Sequence, residues 1–493
     1  MAYTHYERLS ALDASFLHLE DENCHMHIGA VALFTGAPLA TAEGGVDIER
    51  IRNAIAAGIH RIPRYRQRLM WIPGAGHPVW VDDARFNLAY HVRHTHLPRP
   101  GSERLLKRLA GRIMSQALDR GKPLWEMWIV EGVEGDRFAI ITKIHHCMID
   151  GVGSVELTGT VMRPTPDPDP RLEAPPPQWL PRPSPSAARL VVDELCHRAT
   201  MPFTLADAVR RAILEPRRTA TRLYQAVEGI GEALTAGALP ASPTPLNAPI
   251  GPHRRFDWLE MDLDAVKNVK ARLGGTINDV VLAILAGALR RFLRQRGLQV
   301  DQLEFRAMLP VNVRTRENQE SLGNRVAMMV GRLPLEEHDP VRRLERVIHE
   351  TQELKRSRQA VGVQTIEELS DNSFTTLFTL FSRMAAFVRP FNVVVTNVPG
   401  PSTPAYMLGA PMIACYPLVP LFRDQALGVA LFSYAGRLYW GFNADWDLLP
   451  DLHDLVAAAD AEFTALQQVA ERRPVLASVP GVDGAPRGSH ATA

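Results

Sequence analysis

Between Arg163 and Ser186 the chain reads RPTPDPDPRLEAPPPQWLPRPSPS, and no other stretch limits the fold so firmly. Proline fixes φ and has no N–H, so a run this dense supports neither a helix interior nor a central strand. An extended linker is the expectation. A second proline-rich stretch, LPASPTPLNAPIGPHRR, follows from Leu239 to Arg255. Together they divide a chain of 493 residues, which is already longer than one hydrophobic core usually organises. The expected division is a first domain over residues 1–162, a linker over 163–250, a second domain over 251–475 and a disordered tail over 476–493. Inside the linker, residues 205–234 carry a helical apolar stripe of Val209, Ile213, Leu214, Leu223, Val227 and Ile230, interrupted at Pro216 and accompanied by Arg210, Arg211, Arg217, Arg218 and Arg222. A connector helix with a solvated basic face and a membrane-surface helix both fit that pattern.

On either side of the linker, strand and helix patterns alternate. Short runs rich in Val, Ile and Phe at Gly29–Phe34 and Phe138–Ile144 predict buried strands, with a helix over Ser102–Leu118 between them. Beyond residue 251 the spacing predicts strands at Phe256–Leu263, Phe305–Pro310, Val326–Leu333, Asn392–Val398, Ala426–Tyr434 and Arg437–Ala444, a strong helix over Asn278–Arg296 and a last helix ending near Arg472. The class expected is α/β.

A net charge of +1 lacks the basic field that nucleic-acid binders use, so no nucleic-acid partner is expected. Cys24, Cys147, Cys196 and Cys415 lie far apart without CxxC spacing, which fits reduced thiols in a cytoplasmic protein and no structural metal. The first residues, MAYTHYERLSALDASFLHLEDENCHMH, mix acids and histidines where an export signal needs an apolar run. The longest charge-free apolar stretch, Pro390–Phe422, holds Pro399, Pro401, Pro404, Pro411, Pro417 and Pro420, each of which breaks a membrane-spanning helix. Any membrane contact is expected to be peripheral.

The most informative segment is Ile141–Ser154, ITKIHHCMIDGVGS, where an apolar strand delivers His145, His146, Asp150 and Gly151 into a turn. Histidine titrates nearest neutrality, so His146 can take a proton from an alcohol and return it to a leaving thiol. Asp150 can fix the local backbone or pair with a base, and Gly151 relieves the turn. A histidine pair also fits a structural role or part of a metal site, but HHxxxDG lacks the companions of HExxH or CxxC sites. In PRYRQRL, Arg64, Arg66 and Arg68 alternate as on one face of a strand and are candidate partners for Asp150, or solvated charges.

HHCMIDG resembles the HHxxxDG signature of the bacterial wax ester synthase/diacylglycerol acyltransferase family, within the wider coenzyme A-dependent, chloramphenicol acetyltransferase-like superfamily. PLWEMWIVEG (Pro123–Gly132) is similar to the family's PLW segment, and LSALDASFLHLED (Leu9–Asp21) to its LDxxFL segment. TINDVVLA (Thr276–Ala283), SLGNR (Ser321–Arg325) and NVPGP (Asn397–Pro401) resemble further blocks. The blocks stand in order along nearly the whole chain; Cys147 replaces a frequent alanine.

The resemblance implies two chloramphenicol acetyltransferase-like domains, each a mixed sheet with flanking helices, joined by a long linker with a tunnel between them. It implies His146 as the base, with His145, Asp150 and Gly151 supporting it, and Asn278 and Asp279 facing the tunnel. Asn or Asp before an apolar helix is equally an N-cap; as a site residue, Asn278 could hydrogen-bond the oxyanion. Pro123 and Trp125 would shape the wall by packing. The reaction implied is direct acyl transfer from acyl-CoA, with no cofactor beyond that co-substrate, onto diacylglycerol, or alternatively onto a long-chain alcohol or a carrier-bound alcohol. A lipid-binding protein of low turnover is the reading from another class. The expected location is cytoplasmic, with possible peripheral attachment at the inner membrane or lipid droplets.

Overall fold

The computed structural model describes residues 5–148, 160–167, 169–173, 178–199, 240–312, 326–357 and 389–474. Its strands are β1 (Tyr6–Arg8), β2 (His27–Thr35), β3 (Gln67–Trp71), β4 (Pro78–Asp82), β5 (Val92–His96), β6 (Trp125–Val133), β7 (Arg137–His145), β8 (Met162–Arg163), β9 (Arg254–Asp262), β10 (Arg306–Asn312), β11 (Val326–Arg332), β12 (Val393–Pro399), β13 (Tyr406–Met407), β14 (Ala410–Leu418), β15 (Leu427–Tyr434) and β16 (Arg437–Asp445). The longer helices are α1 (Ala11–Leu19), α2 (Ile48–Gly58), α3 (Glu103–Met114), α4 (Leu263–Leu273), α5 (Ile277–Gln295), α6 (Pro340–Arg356) and α7 (Leu452–Glu471).

Two mixed sheets with flanking helices organise the chain. One is seven-stranded, ordered β5-β6-β7-β2-β14-β13-β8, and the other six-stranded, ordered β11-β10-β12-β15-β16-β9. Parallel pairs, β5 with β6 in the first and β10 with β12 and β12 with β15 in the second, make both mixed. The α/β class expected from the sequence therefore holds. A small sheet, β1-β4-β3, stands beside the first.

The predicted helix at the start of the second half is α5. Thr276 caps it, with its hydroxyl accepting from the N–H of Asp279, and the Asp279 carboxylate accepts from the N–H of Thr276 in return. Asn278, expected as a possible cap, sits inside the first turn instead. From Val280 to Leu289 every side chain is buried, as befits a helix enclosed on all sides. Gly287 lies where α5 meets a buried pair, Arg343 of α6 and Glu462 of α7; a Cβ there would stand 2.4 Å from Glu462 Oε2.

The two halves interpenetrate. β14 and β13, which follow residue 251, pair into the first half's sheet, with β14 antiparallel to β2 along Met412–Leu418. Its Pro417 carbonyl meets β16 of the other sheet so closely that a Cβ on Gly441 would lie 1.8 Å away, so only glycine permits the crossing. In exchange, Phe16, Cys24 and Met26 of the first half are buried in the cluster built on α5, α7 and the six-stranded sheet. The connection from α1 to β2 is thus wedged into the junction.

The described part of the proline-rich stretch is largely exposed, as an extended linker would be, but it is pinned to the first half at a few points. Pro170–Glu173 forms one helical turn, Leu172 is buried with the first cluster, Trp179 lies under the Arg66 guanidinium at 4.5 Å, and Arg182 grips Asp82 through two nitrogens. Proline forbids ladder hydrogen bonds, not side-chain contacts from an extended backbone. The apolar stripe of residues 205–234, the SLGNR block and the tail lie outside the described residues.

No single described helix is long and apolar enough to cross a membrane. The apolar helix α5 is spent on the core.

Candidate active site

β7 ends at His145, and His146–Met148 turn away as one 3-10 turn. The turn is held from two sides. The His146 N–H donates to the Met26 carbonyl at 2.8 Å, and the Cys147 N–H donates to His145 Nδ1 at 3.1 Å. Because Nδ1 accepts, the His145 proton resides on Nε2, which faces Glu20 Oε1 at 3.1 Å in a bent contact.

Glu20, at the end of α1, was not singled out in the sequence, although it lies inside the LDxxFL-like segment. It also accepts from the Met26 N–H at 2.8 Å and from Arg120 at 2.6 Å. Burial alone would raise its pKa. The His145 contact, the Arg120 guanidinium and the Met26 N–H outweigh burial and bring it down to about 2.

The His146 ring is stacked on Phe16, with centroids 4.0 Å apart and planes at 27°. Its Nδ1 is buried and meets no other described residue, while its own backbone carbonyl is the group that favours protonation. With Nδ1 turned inward, Nε2 is left as the base. Burial, with a smaller contribution from His145, pushes the imidazole down to about 4, so the ring is neutral and ready to accept a proton at pH 7.

Cys147 beside it is buried, and desolvation pushes its thiol well above its ordinary range. A thiolate nucleophile is disfavoured there. Lys143, two residues before the pair, is fully buried yet donates to the Ile113 carbonyl at 2.9 Å and to that of Gln116, closing the end of α3. Burial draws its pKa down to about 8.

The other sequence candidates divide. Asp150 and Gly151 lie outside the described residues. Trp125, expected to act by packing, is a core residue: it is 1% exposed, its indole N–H donates to the Tyr65 carbonyl at 2.8 Å, and its ring stacks on His91. What the PLW segment contributes is position, since Trp125 pairs with Ile144 and the Leu124 carbonyl accepts the His145 N–H. Pro123 lies two residues before that strand.

Asp279, expected to face the tunnel, is also enclosed. One oxygen completes the helix cap and the other accepts from Thr351 at 2.7 Å. Asn278 is half-buried, and its amide has no hydrogen-bond partner among the described residues. Its helix shares one buried cluster with Phe16 and Met26, the two residues that hold His146.

Arg64, Arg66 and Arg68 do not share a strand face. Pro63–Arg66 is a 3-10 turn, because Pro63 starts it, and only Arg68 lies in β3. Arg64 reaches Glu7, Arg66 stacks on Trp179 and Arg68 donates to the Leu69 carbonyl. Among the described residues no group of three or more His, Cys, Asp or Glu is placed to hold a metal.

The chain is similar to known proteins over nearly its whole length. The model of the wax ester synthase/diacylglycerol acyltransferase catalytic domain matches residues 9–281, and that of the WS/DGAT C-terminal domain matches residues 322–467. A putative diacylglycerol O-acyltransferase of Mycobacterium tuberculosis is 33% identical over 473 residues, covering 94% of this chain and 90% of that protein. The probable diacylglycerol O-acyltransferase tgs1 of the same species is 31% identical over 482 residues, covering 95% of this chain and 97% of its own. Among solved structures, the wax ester synthase/diacylglycerol acyltransferase of Marinobacter aquaeolei VT8 superposes with a TM-score of 0.65 at 26% identity, over 94% of this chain and all of that one. A starter condensation domain of rhizomide synthetase shares the fold at 14% identity, with a TM-score of 0.57 over 95% of this chain and 96% of that one.

Proposed function

The chain belongs to the wax ester synthase/diacylglycerol acyltransferase family, and from that premise we propose that it transfers a long acyl group from acyl-coenzyme A to diacylglycerol, with His146 as general base. The observation that carries the residue assignment is the His146 imidazole stacked on Phe16 at 4.0 Å, at the junction of the two halves, with Nδ1 turned inward.

In the proposed reaction Nε2 of His146 takes the proton of the diacylglycerol hydroxyl as its oxygen attacks the thioester carbonyl. The tetrahedral intermediate then expels the coenzyme A sulfur, breaking the C–S bond, and the imidazolium returns the proton to that sulfur. Triacylglycerol and free coenzyme A leave. No covalent enzyme intermediate is needed, which fits the raised Cys147 thiol. The unpartnered amide of Asn278, on the helix that packs with Phe16, supports it as a donor to the oxyanion. Acyl-CoA enters as co-substrate, no other cofactor is invoked, and the water-insoluble acceptor favours action in the cytoplasm at a membrane or lipid-droplet surface.

The test is product analysis of the purified protein given palmitoyl-CoA with dioleoylglycerol and hexadecanol in competition. Triacylglycerol as main product is expected. A predominance of wax ester would reverse the acceptor, and lipid binding without either product would remove the enzymatic reading.

A further inference from the structure

We propose that Glu20 is a positioning residue for the His146 base, acting through both groups that fix the catalytic turn. The inference rests on the reading of His146 as the base. Two backbone N–H groups hold that turn, those of His146 and Cys147, and each has one acceptor: the Met26 carbonyl for the first and His145 Nδ1 for the second. Glu20 grips the residues that supply both. Its carboxylate accepts the Met26 N–H at 2.8 Å, which fixes the residue just before β2 whose carbonyl receives the His146 N–H. The same oxygen faces His145 Nε2 at 3.1 Å in the bent contact described above; a carboxylate on that side favours the proton on Nε2 and so leaves Nδ1 free to accept from Cys147.

If the Nδ1 tautomer formed instead, its N–H would point at the Cys147 N–H, and the turn would lose one of its two anchors. Glu20 is itself fixed by Arg120 at 2.6 Å and by its place at the end of α1, the helix that carries Phe16 against the His146 ring. His27 stands behind, 3.9 Å from Glu20 and paired across the sheet with His145; burial keeps it well below its ordinary pKa, so it brings no competing charge. Glu20 reaches the reacting atoms only through others, so its effect falls on placement of the base rather than on substrate affinity.

The test is Glu20→Gln in the full chain, alongside Glu20→Asp and His146→Ala. Gln keeps the shape, but its amide can present either a donor or an acceptor to His145, so the tautomer is no longer dictated. For Glu20→Gln, kcat is expected to fall about 10- to 100-fold with KM for acyl-CoA within about twofold, the size of effect that a small misplacement of a catalytic group produces. Histidine-selective 15N NMR, with His145 assigned through a His145→Asn variant, is expected to show the Nε2–H tautomer in the wild type and a mixture in Glu20→Gln. Glu20→Asp, which keeps the charge, should recover part of kcat and the single tautomer. A Glu20→Gln protein with wild-type kcat, or with reduced kcat but an unchanged His145 tautomer, would overturn the proposal. If His146→Ala retains turnover, the reading of the base fails instead, and the two failures are distinguishable.

Discussion

Removing Phe16 should unmask the acid–base character of His146. Phe16 is 3% exposed and covers one face of the imidazole at a centroid distance of 4.0 Å, and burial is the main reason that the ring titrates at about 4 instead of 6.5. Holding the ring at about 4 works out at about 3 kcal/mol against the charged form. Phe16→Ala opens a cavity beside the ring and admits water, so the acid limb of kcat/KM is expected to move from near 4 up by about one to two pH units. The fold should lose about 3–5 kcal/mol, the usual cost of a Phe→Ala cavity, with Phe16→Leu losing less. Initial rates of coenzyme A release between pH 3.5 and 9, after brief exposure to each pH and return to neutrality as a check on unfolding, measure the limb. A wild-type limb at 6.5 would show that the imidazole is not desolvated. A folded Phe16→Ala enzyme with an unmoved limb would show that Phe16 is not the cause.

Three further outcomes are expected. His146→Ala should lower kcat by about two to four orders of magnitude while Cys147→Ala is nearly silent, and the reverse pattern in a turnover assay would demand a covalent route. Asn278→Ala should lower kcat by about 10²-fold or more with little change in melting temperature, because Thr276 and Asp279 keep the helix cap; a drop in melting temperature with kcat intact would return Asn278 to a structural role. Stability should fall as pH drops from about 6.5 to 4. Burial holds His146 and His77 at about 4 and His27 well below 6.5, so in that window the unfolded chain binds more protons than the folded one. A calorimetric melting temperature constant from pH 7 to 5 would contradict this.

The alternation of strand and helix made the α/β class legible, because period-2 and period-3.6 patterns reflect burial that each element meets locally. His146 was legible for a different reason, since HHxxxDG is contiguous in sequence. Glu20 and Phe16 were not, because their importance arises from α1 lying against a turn more than a hundred residues away. Trp125 was legible as a packing residue, but not what it packs on, which follows from the β6–β7 pairing that turns the indole into the core. Asn278 and Thr276 could not be ranked as caps from residue type, because the choice depends on where the backbone enters the helix. β14 was invisible, since its two prolines, Pro411 and Pro417, and its residence in the other half's sheet both defeat local patterns.

That strand has a consequence for how the protein is made. Gly29 on β2 pairs with Leu418 on β14, so the edge of β2 that β14 occupies stays unpaired on the ribosome until the chain is nearly finished. At about 5–20 residues per second the wait is roughly 20–80 s, during which an apolar strand edge is open to other chains. A fragment ending at residue 250 would carry the same open edge permanently, and co-expressed halves would have to find each other through the exchanged β13 and β14. Biogenesis of this enzyme is therefore closer to threading a clasp than to folding two beads in turn.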